Sequence, residues 1–261
     1  MNYVDKIYTE DQIKESTHTY SDNPHLELNL YLPPKTDKKY PVVIWMPAGG
    51  STKDSPQCVN WAKEFACRGY AGITADVKET VGDFTPDKQY KAVSNTMAVI
   101  RWVRAHKEEF NLSGKKILLG GNSAGSLSAV QTAISAVYIK EVIHAGKEGP
   151  LDAEDYEAFF GKVDYNKSNM GERIAVYGSA TISGAGGEFD KFIIELSDPN
   201  YGYIGDQDEL FYKGALKTQD AYRLKNVPST MIVFPGAGHG IGEQDAIIAD
   251  LIPKFALLVT N

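Results

Sequence analysis

Five consecutive residues, Gly121-Asn122-Ser123-Ala124-Gly125, carry the clearest chemical signal in the chain. They follow an apolar run at 116–120 and open a helical pattern, the setting in which Gly-x-Ser-x-Gly forms a sharp strand-to-helix turn. Such a turn lifts the serine hydroxyl clear of the sheet. Glycine on either side avoids the clash that a Cβ would make with neighbouring backbone. The helix amino terminus behind the hydroxyl favours developing negative charge. The implied chemistry is nucleophilic attack by Ser123 on a carbonyl. The bland alternative is a helix start made of small residues, and the position between strand and helix argues against it.

A serine hydroxyl is a weak nucleophile until a base takes its proton. Of the five histidines, His18 and His25 fall in an amino-terminal hairpin, and His106 and His144 fall within helical patterns. Only His239 sits in a glycine-rich loop, Pro235-Gly236-Ala237-Gly238-His239-Gly240, directly after an apolar strand pattern. A loop histidine alone is usually a solvated side chain. Paired with the serine turn, it becomes the candidate base.

A third group must orient the imidazole and stabilise its charged form. Asp208 is the candidate, three residues past the apolar run that ends at Gly205. Asp206 competes from two positions nearer the strand and is read as a loop or turn residue; Asp198 and Glu209 are weaker competitors. The order Ser123, Asp208, His239 is the nucleophile–acid–base order of one known triad architecture. Acyl transfer also needs donors aimed at the oxyanion, each typically contributing about 3 kcal/mol. The Ala124 N–H should be one. Gly49 and Gly50, in Pro47-Ala48-Gly49-Gly50-Ser51 just past another apolar run, should supply others; a plain glycine turn is the alternative.

These residues need a scaffold that gathers distant loops. Leu26, Leu28, Leu30 and Leu32 alternate as in a half-buried strand, and residues 14–32 read as a hairpin ended by Pro33-Pro34. Continuous apolar runs follow at 42–46, 72–76, 116–120, 174–179, 202–205 and 230–234, as in strands buried on both faces of a parallel sheet. Between them, Val93, Met97, Ile100 and Val103 recur with helical spacing, as do Leu127, Val130, Ile134 and Val137. Alternating strands and helices predict a mostly parallel sheet with helices on both faces. Ligands on such sheets sit beyond the carboxyl ends of the strands, where all the candidate residues fall.

Composition narrows the class. A chain of 261 residues buries roughly 73% of its extended surface, enough for a core without staples. No repeat or linker interrupts it, so residues 1–261 read as a single domain, with 1–25 an amino-terminal extension and first strand. The 27 basic residues against 34 acidic ones give −7, with no basic stripe, which argues against nucleic acid and anionic membranes as partners. No apolar run reaches the roughly 18 residues of a spanning helix. The start, MNYVDKIYTEDQ, has no apolar core; a cytoplasmic location is expected for the sequence as it stands, a secreted one if a signal segment has been removed ahead of it. Cys58 and Cys67 lie nine positions apart in one helical pattern, a rise of about 13 Å, too far for a bridge; buried structural thiols are expected.

With these motifs in place, the chain resembles an α/β-hydrolase of the esterase/lipase type from about Leu26 to its carboxyl terminus. It is most similar to compact bacterial carbohydrate-ester and feruloyl-esterase-like members, which also resemble kynurenine formamidases and dienelactone hydrolases. The resemblance implies an eight-stranded sheet, a triad of Ser123, Asp208 and His239, and an oxyanion hole of Gly49, Gly50 and Ala124. It implies a serine hydrolase acting on small-molecule or carbohydrate esters, with short or aromatic acyl groups, through a covalent acyl-enzyme and without cofactor or metal. Peptidase, amidase and lactone hydrolase activity on the same scaffold, and a non-catalytic binding module, are the alternatives. Two departures stand out. Pro47-Ala48 replaces the His-Gly that many relatives place before the two glycines, and Asn122 stands where an acidic residue is common. Residues 146–171, with Tyr156, Phe159, Phe160 and Tyr165, read either as a substrate-facing flap or as a surface helix.

Overall fold

The computed structural model describes residues 1–21, 24–76, 86–133, 176–182, 193 and 198–260. Ile134, Val137, His144 and the stretch 146–171 lie outside them. The chain opens with a 3-10 turn at Glu10–Gln12, then strands β1 (Lys14–Thr19), β2 (Glu27–Leu32) and β3 (Tyr40–Met46). Helix α1 (Pro56–Ala66), strand β4 (Ala71–Ala75), helix α2 (Pro86–Ala105) and strand β5 (Leu112–Asn122) follow. Residues 124–133 are helical and are called α3. Strands β6 (Val176–Ile182) and β7 (Asn200–Gly205), helix α4 (Tyr212–Leu224), strand β8 (Ser229–Phe234) and helix α5 (Gln244–Thr260) complete the fold.

The eight strands form one sheet in the order β1-β2-β4-β3-β5-β6-β7-β8. β1 pairs antiparallel with β2, and β2 with β4. Every pairing from β4 through β3 to β8 is parallel. The sheet thus has the predicted class, and the apolar runs lie on its strands where they fall within the described residues, apart from Asp76, one residue past β4.

The reason is visible in β3, where all seven residues are buried. Val42, Ile44 and Met46 point into a core with α2, α3 and α4, while Val43 and Trp45 point into a second core with α1 and α5. A strand covered on both faces cannot alternate apolar with polar residues, so it reads as a continuous run. The same covering corrects the reading of β2 as half-buried. Tyr31 packs beneath Ala62 and Ala66 of α1. Asn29 is buried too, and it is tolerated because Thr17 Oγ1 donates to it at 2.8 Å and its amide reaches Asp54 at 2.7 Å.

Smaller details also depart from the periodicity. β5 runs two residues beyond the apolar stretch, to Asn122. α2 stops at Ala105, so His106 lies one residue past the helix, although its N–H still bonds the Trp102 carbonyl at 3.0 Å. Cys58 and Cys67 are free, buried thiols, and burial pushes that of Cys58 up to about 12. Among the described residues no helix is long and apolar enough to cross a membrane.

Candidate active site

The strand order locates the site before any side chain is considered. From β3 the chain moves one way to β4, then returns past β3 to β5 on the other side. That reversal opens a crevice at the carboxyl ends of β3 and β5. The loop 47–55 leaves β3 there, and Ser123 leaves β5 there.

Ser123 adopts φ +53°, the left-handed region that non-glycine residues rarely occupy. The conformation costs about 1–2 kcal/mol and persists because its surroundings hold it. A Cβ on Gly121 would strike the Gly125 carbonyl group, and one on Gly125 would strike the carbonyls of Met46 and Pro47. The two glycines therefore let β5, α3 and the β3 loop close to backbone contact. The Ser123 N–H donates to the Ile182 carbonyl at 2.9 Å. Ser126 Oγ accepts the Ile182 N–H at 3.0 Å and lies 2.6 Å from the Gly121 carbonyl. This second serine ties the turn to β6. Its only sequence signal was a small polar residue at the start of a buried helix.

His239 is delivered by the loop after β8. Gly205, at the end of β7, has the Ala237 carbonyl where a side chain would stand, so the two loops lie backbone to backbone. His239 Nε2 is 2.8 Å from Ser123 Oγ, and its Nδ1 is 3.0 Å from Asp208 Oδ2. A carboxylate only accepts, so Nδ1 carries the proton and Nε2 presents its lone pair to the serine hydroxyl. The Asp208 side chain is 0% exposed, while that of His239 is 38% exposed. Asp208 is sealed in and His239 is partly open. The second Asp208 oxygen accepts the N–H groups of Leu210 and Phe211, each at 3.0 Å. These bonds at the start of α4 fix the orientation of the carboxylate.

The competing carboxylates are elsewhere. Asp206 Oδ1 accepts the Gly236 N–H at 2.7 Å, bracing the loop that carries His239. Asp198 lies before the amino end of β7, away from the crevice, and Glu209 is exposed. His18 lies on β1 against Trp102 and Phe110, at ring distances of 5.1 and 5.0 Å. His25 sits in an exposed turn. Neither these nor His106 joins the crevice.

In the β3 loop, the Ser51 N–H donates to the Ala48 carbonyl at 3.0 Å, closing a turn with Gly49 and Gly50 at its centre. Gly50 has φ +76°, the value required at the third position of a type II turn. The turn bond uses neither glycine's N–H, and both residues are exposed. The Ala124 N–H belongs to the first turn of α3, where the helix itself offers no acceptor. Asn122 Oδ1 accepts the Trp45 indole N–H at 2.9 Å, which accounts for an amide at this position. Trp45 also covers Gly120, where a Cβ would meet its ring, and stacks on Trp61 at 4.3 Å. Among the described residues no group of three or more His, Cys, Asp or Glu could hold a metal.

Comparison with known proteins adds lineage to this geometry. The BD-FAE family model matches residues 28–173, more than half of the chain. The chain belongs to the BD-FAE family. The match takes in Gly49, Gly50 and the serine turn; Asp208 and His239 lie beyond it. The BD-FAE chain matches no curated protein sequence. Among solved structures it is similar to a truncated carbohydrate esterase from gut microbiota, with 17% identity and TM-score 0.71 over 97% of this chain and 99% of that one. A thermophilic esterase of the planctomycete Thermogutta terrifontis, solved with propionate bound, shares 20% identity at TM-score 0.66 over 97% and 96%. The dienelactone hydrolase of Anabaena variabilis shares 14% identity at TM-score 0.62 over 94% and 98%. The expectation of an eight-stranded α/β-hydrolase fold is thereby met.

Proposed function

We propose that this BD-FAE member is a serine hydrolase of carboxylesterase type, its chemistry carried by one domain spanning residues 1–261. The observation that carries the reading is the unbroken hydrogen-bonded run from Ser123 Oγ through His239 to the buried Asp208, 2.8 and 3.0 Å long. His239 Nε2 takes the Ser123 proton as Oγ attacks the ester carbonyl. Asp208 holds the imidazolium that forms and remains ionised. The N–H groups of Gly49, Gly50 and Ala124 receive the oxyanion. The imidazolium then protonates the leaving alcohol, the acyl group stays on Ser123, and water activated by His239 releases it.

The substrate class is a short-acyl or aromatic ester, including acetylated or feruloylated carbohydrate. Similarity to a carbohydrate esterase supports the sugar, and similarity to a propionate-bound esterase supports a short acyl group. Likeness to a dienelactone hydrolase favours a second reading, a lactone opened by the same steps.

A fluorophosphonate probe tests the chemistry. It should label the folded protein at Ser123, located by peptide mass spectrometry, and spare Ser123→Ala. Folded protein that remains unlabelled would mark a binding module instead. Rates on acetylated sugars, feruloyl esters, aryl acetates, lactones and peptide amides then rank the substrates, and a preference for amides would displace the ester reading.

A further inference from the structure

The loop carrying Gly49 and Gly50 fills the gap between β3 and α1, and its far end rests on a carboxylate with no part in the proposed reaction. Asp76 follows the last residue of β4 and is 5% exposed. Its Oδ1 accepts the Lys53 backbone N–H at 3.0 Å. Its own backbone is fixed from the other side: the Asp76 N–H donates to the Glu27 carbonyl at 2.8 Å, and Tyr20 OH donates to the Asp76 carbonyl at 2.6 Å. Asp76 therefore ties the loop to β2 and β4, strands paired on both sides within the sheet.

The loop consists of two joined turns. The first is closed by Ser51 and Ala48 around the glycines. In the second, Ser55 Oγ donates to the Thr52 carbonyl at 2.7 Å and accepts the Thr52 N–H at 3.0 Å. Lys53 sits inside this second turn and is 7% exposed. Its ammonium lies 2.8 Å from Asp54 and 3.7 Å from Glu27, and Asp54 also accepts from Asn29 at 2.7 Å. Burial pushes the Lys53 ammonium down, but the Asp54 hydrogen bond and the charges of Asp54, Asp76 and Glu27 outweigh it and hold it above the ordinary lysine value. Simply joining a strand to a helix does not require charges taken out of water, which are costly unless paired. This network holds a short piece of backbone in one place.

We propose that Asp76 is a positioning residue for the oxyanion hole: by accepting the Lys53 N–H it fixes the second turn of the loop, and through it the aim of the Gly49 and Gly50 N–H groups. The inference rests on the reading of those glycines as oxyanion donors. Asparagine at 76 keeps an acceptor of the same shape but a weaker, uncharged one. Alanine leaves the Lys53 N–H without its acceptor and removes a countercharge from the ammonium.

The test compares wild type, Asp76→Asn and Asp76→Ala on an aryl acetate, with kcat normalised to sites titrated by an organophosphate so that misfolded molecules do not count. Asp76→Ala should lower kcat by about 10- to 100-fold, less than or near the loss of a whole donor, with KM nearly unchanged. Affinity for a trifluoromethyl ketone, whose adduct places an oxyanion in the hole, should fall in proportion to kcat/KM. Asp76→Asn should recover to within about threefold of wild type, since it retains the acceptor. A kcat for Asp76→Ala within twofold of wild type would overturn the proposal, as would a loss of kcat that ketone affinity does not follow. If Asp76→Ala does not fold, Asp76→Leu, close to aspartate in shape but with no acceptor for the Lys53 N–H, takes its place with the same expected loss and the same overturning results. Wild-type protein that hydrolyses no ester and takes no organophosphate at Ser123 would overturn the underlying reading as well, a result recognisable without any change at residue 76.

Discussion

Replacing Asp208 with asparagine tests the relay at its most constrained point. Asp208 Oδ1 accepts two backbone N–H groups, from Leu210 and Phe211, and Oδ2 faces His239 Nδ1. An asparagine must choose which side receives its one oxygen. Placing the NH2 towards the two backbone donors forfeits both hydrogen bonds, about 1–1.5 kcal/mol each in net terms and more for donors left buried. The oxygen therefore takes the Oδ1 position, and the NH2 points at the imidazole. A donor there turns Nδ1 into an acceptor and moves the ring proton to Nε2, the atom that receives the Ser123 proton in the proposed reaction. The fold keeps its bonds while the base is in the wrong tautomer. Such an inversion lowers kcat by about 10⁴-fold, equivalent to about 5.5 kcal/mol of transition-state stabilisation. Steady-state kinetics on an aryl acetate measures the loss, and urea unfolding measures stability, which should change by only about 1–2 kcal/mol. A variant that keeps more than a tenth of wild-type kcat would refute the tautomer argument. So would one that loses activity only because it unfolds.

Three other outcomes are expected. Ser123→Ala should reduce kcat by at least about 10⁴-fold, and Ser123→Gly should unfold at higher urea than Ser123→Ala by about 1 kcal/mol, because glycine relieves the strain of φ +53°. Asp206→Ala should lower kcat roughly tenfold by freeing the Gly236 N–H, whereas Asp206→Asn, which keeps the acceptor, should stay near wild type; equal losses would place residue 206 in the relay itself. Burial holds the His18 imidazole below its ordinary value of 6.5, the charge of His106 adding to it and that of Glu109 opposing. On acidification the unfolded chain thus takes up this proton first, so His18's contribution to stability is complete above about 6.5 and is lost as pH falls below it. The thermal midpoint should drop across that window in wild type and drop less in His18→Phe; identical pH dependence in both would exclude this origin.

The serine turn was legible because its requirements are local. Gly121 marks a backbone contact with Gly125 inside the turn itself, although Gly125 also meets the distant Met46 and Pro47, and the strand before Ser123 and the helix after it have their own periodicities. The strands were legible because a sheet covered on both faces demands unbroken apolar runs, as in β3. The roles of the two aspartates in the 206–208 loop were less so. Asp206 and Asp208 differ by one pleat, and only the path of the chain after Gly205 turns one towards Gly236 and the other towards His239. Asn29 defied its alternation because α1 covers a strand whose polar residue finds partners 12 and 25 positions away.

The sequence by itself determined the elements: which stretches become buried strands, where proline ends one, where a serine must stand at a sharp strand-to-helix turn. These follow from sterics and from burial of apolar side chains, which act over a few neighbouring residues. Tertiary structure decided the meetings. The 2.8 Å contact of Ser123 with His239 spans 116 positions, and the hold of Asp76 on Lys53 spans 23. A hydrogen bond depends on direction and on distances of a few tenths of an ångström, and only the packed sheet, with the chain reversing between β3 and β5, brings such distant groups within that tolerance.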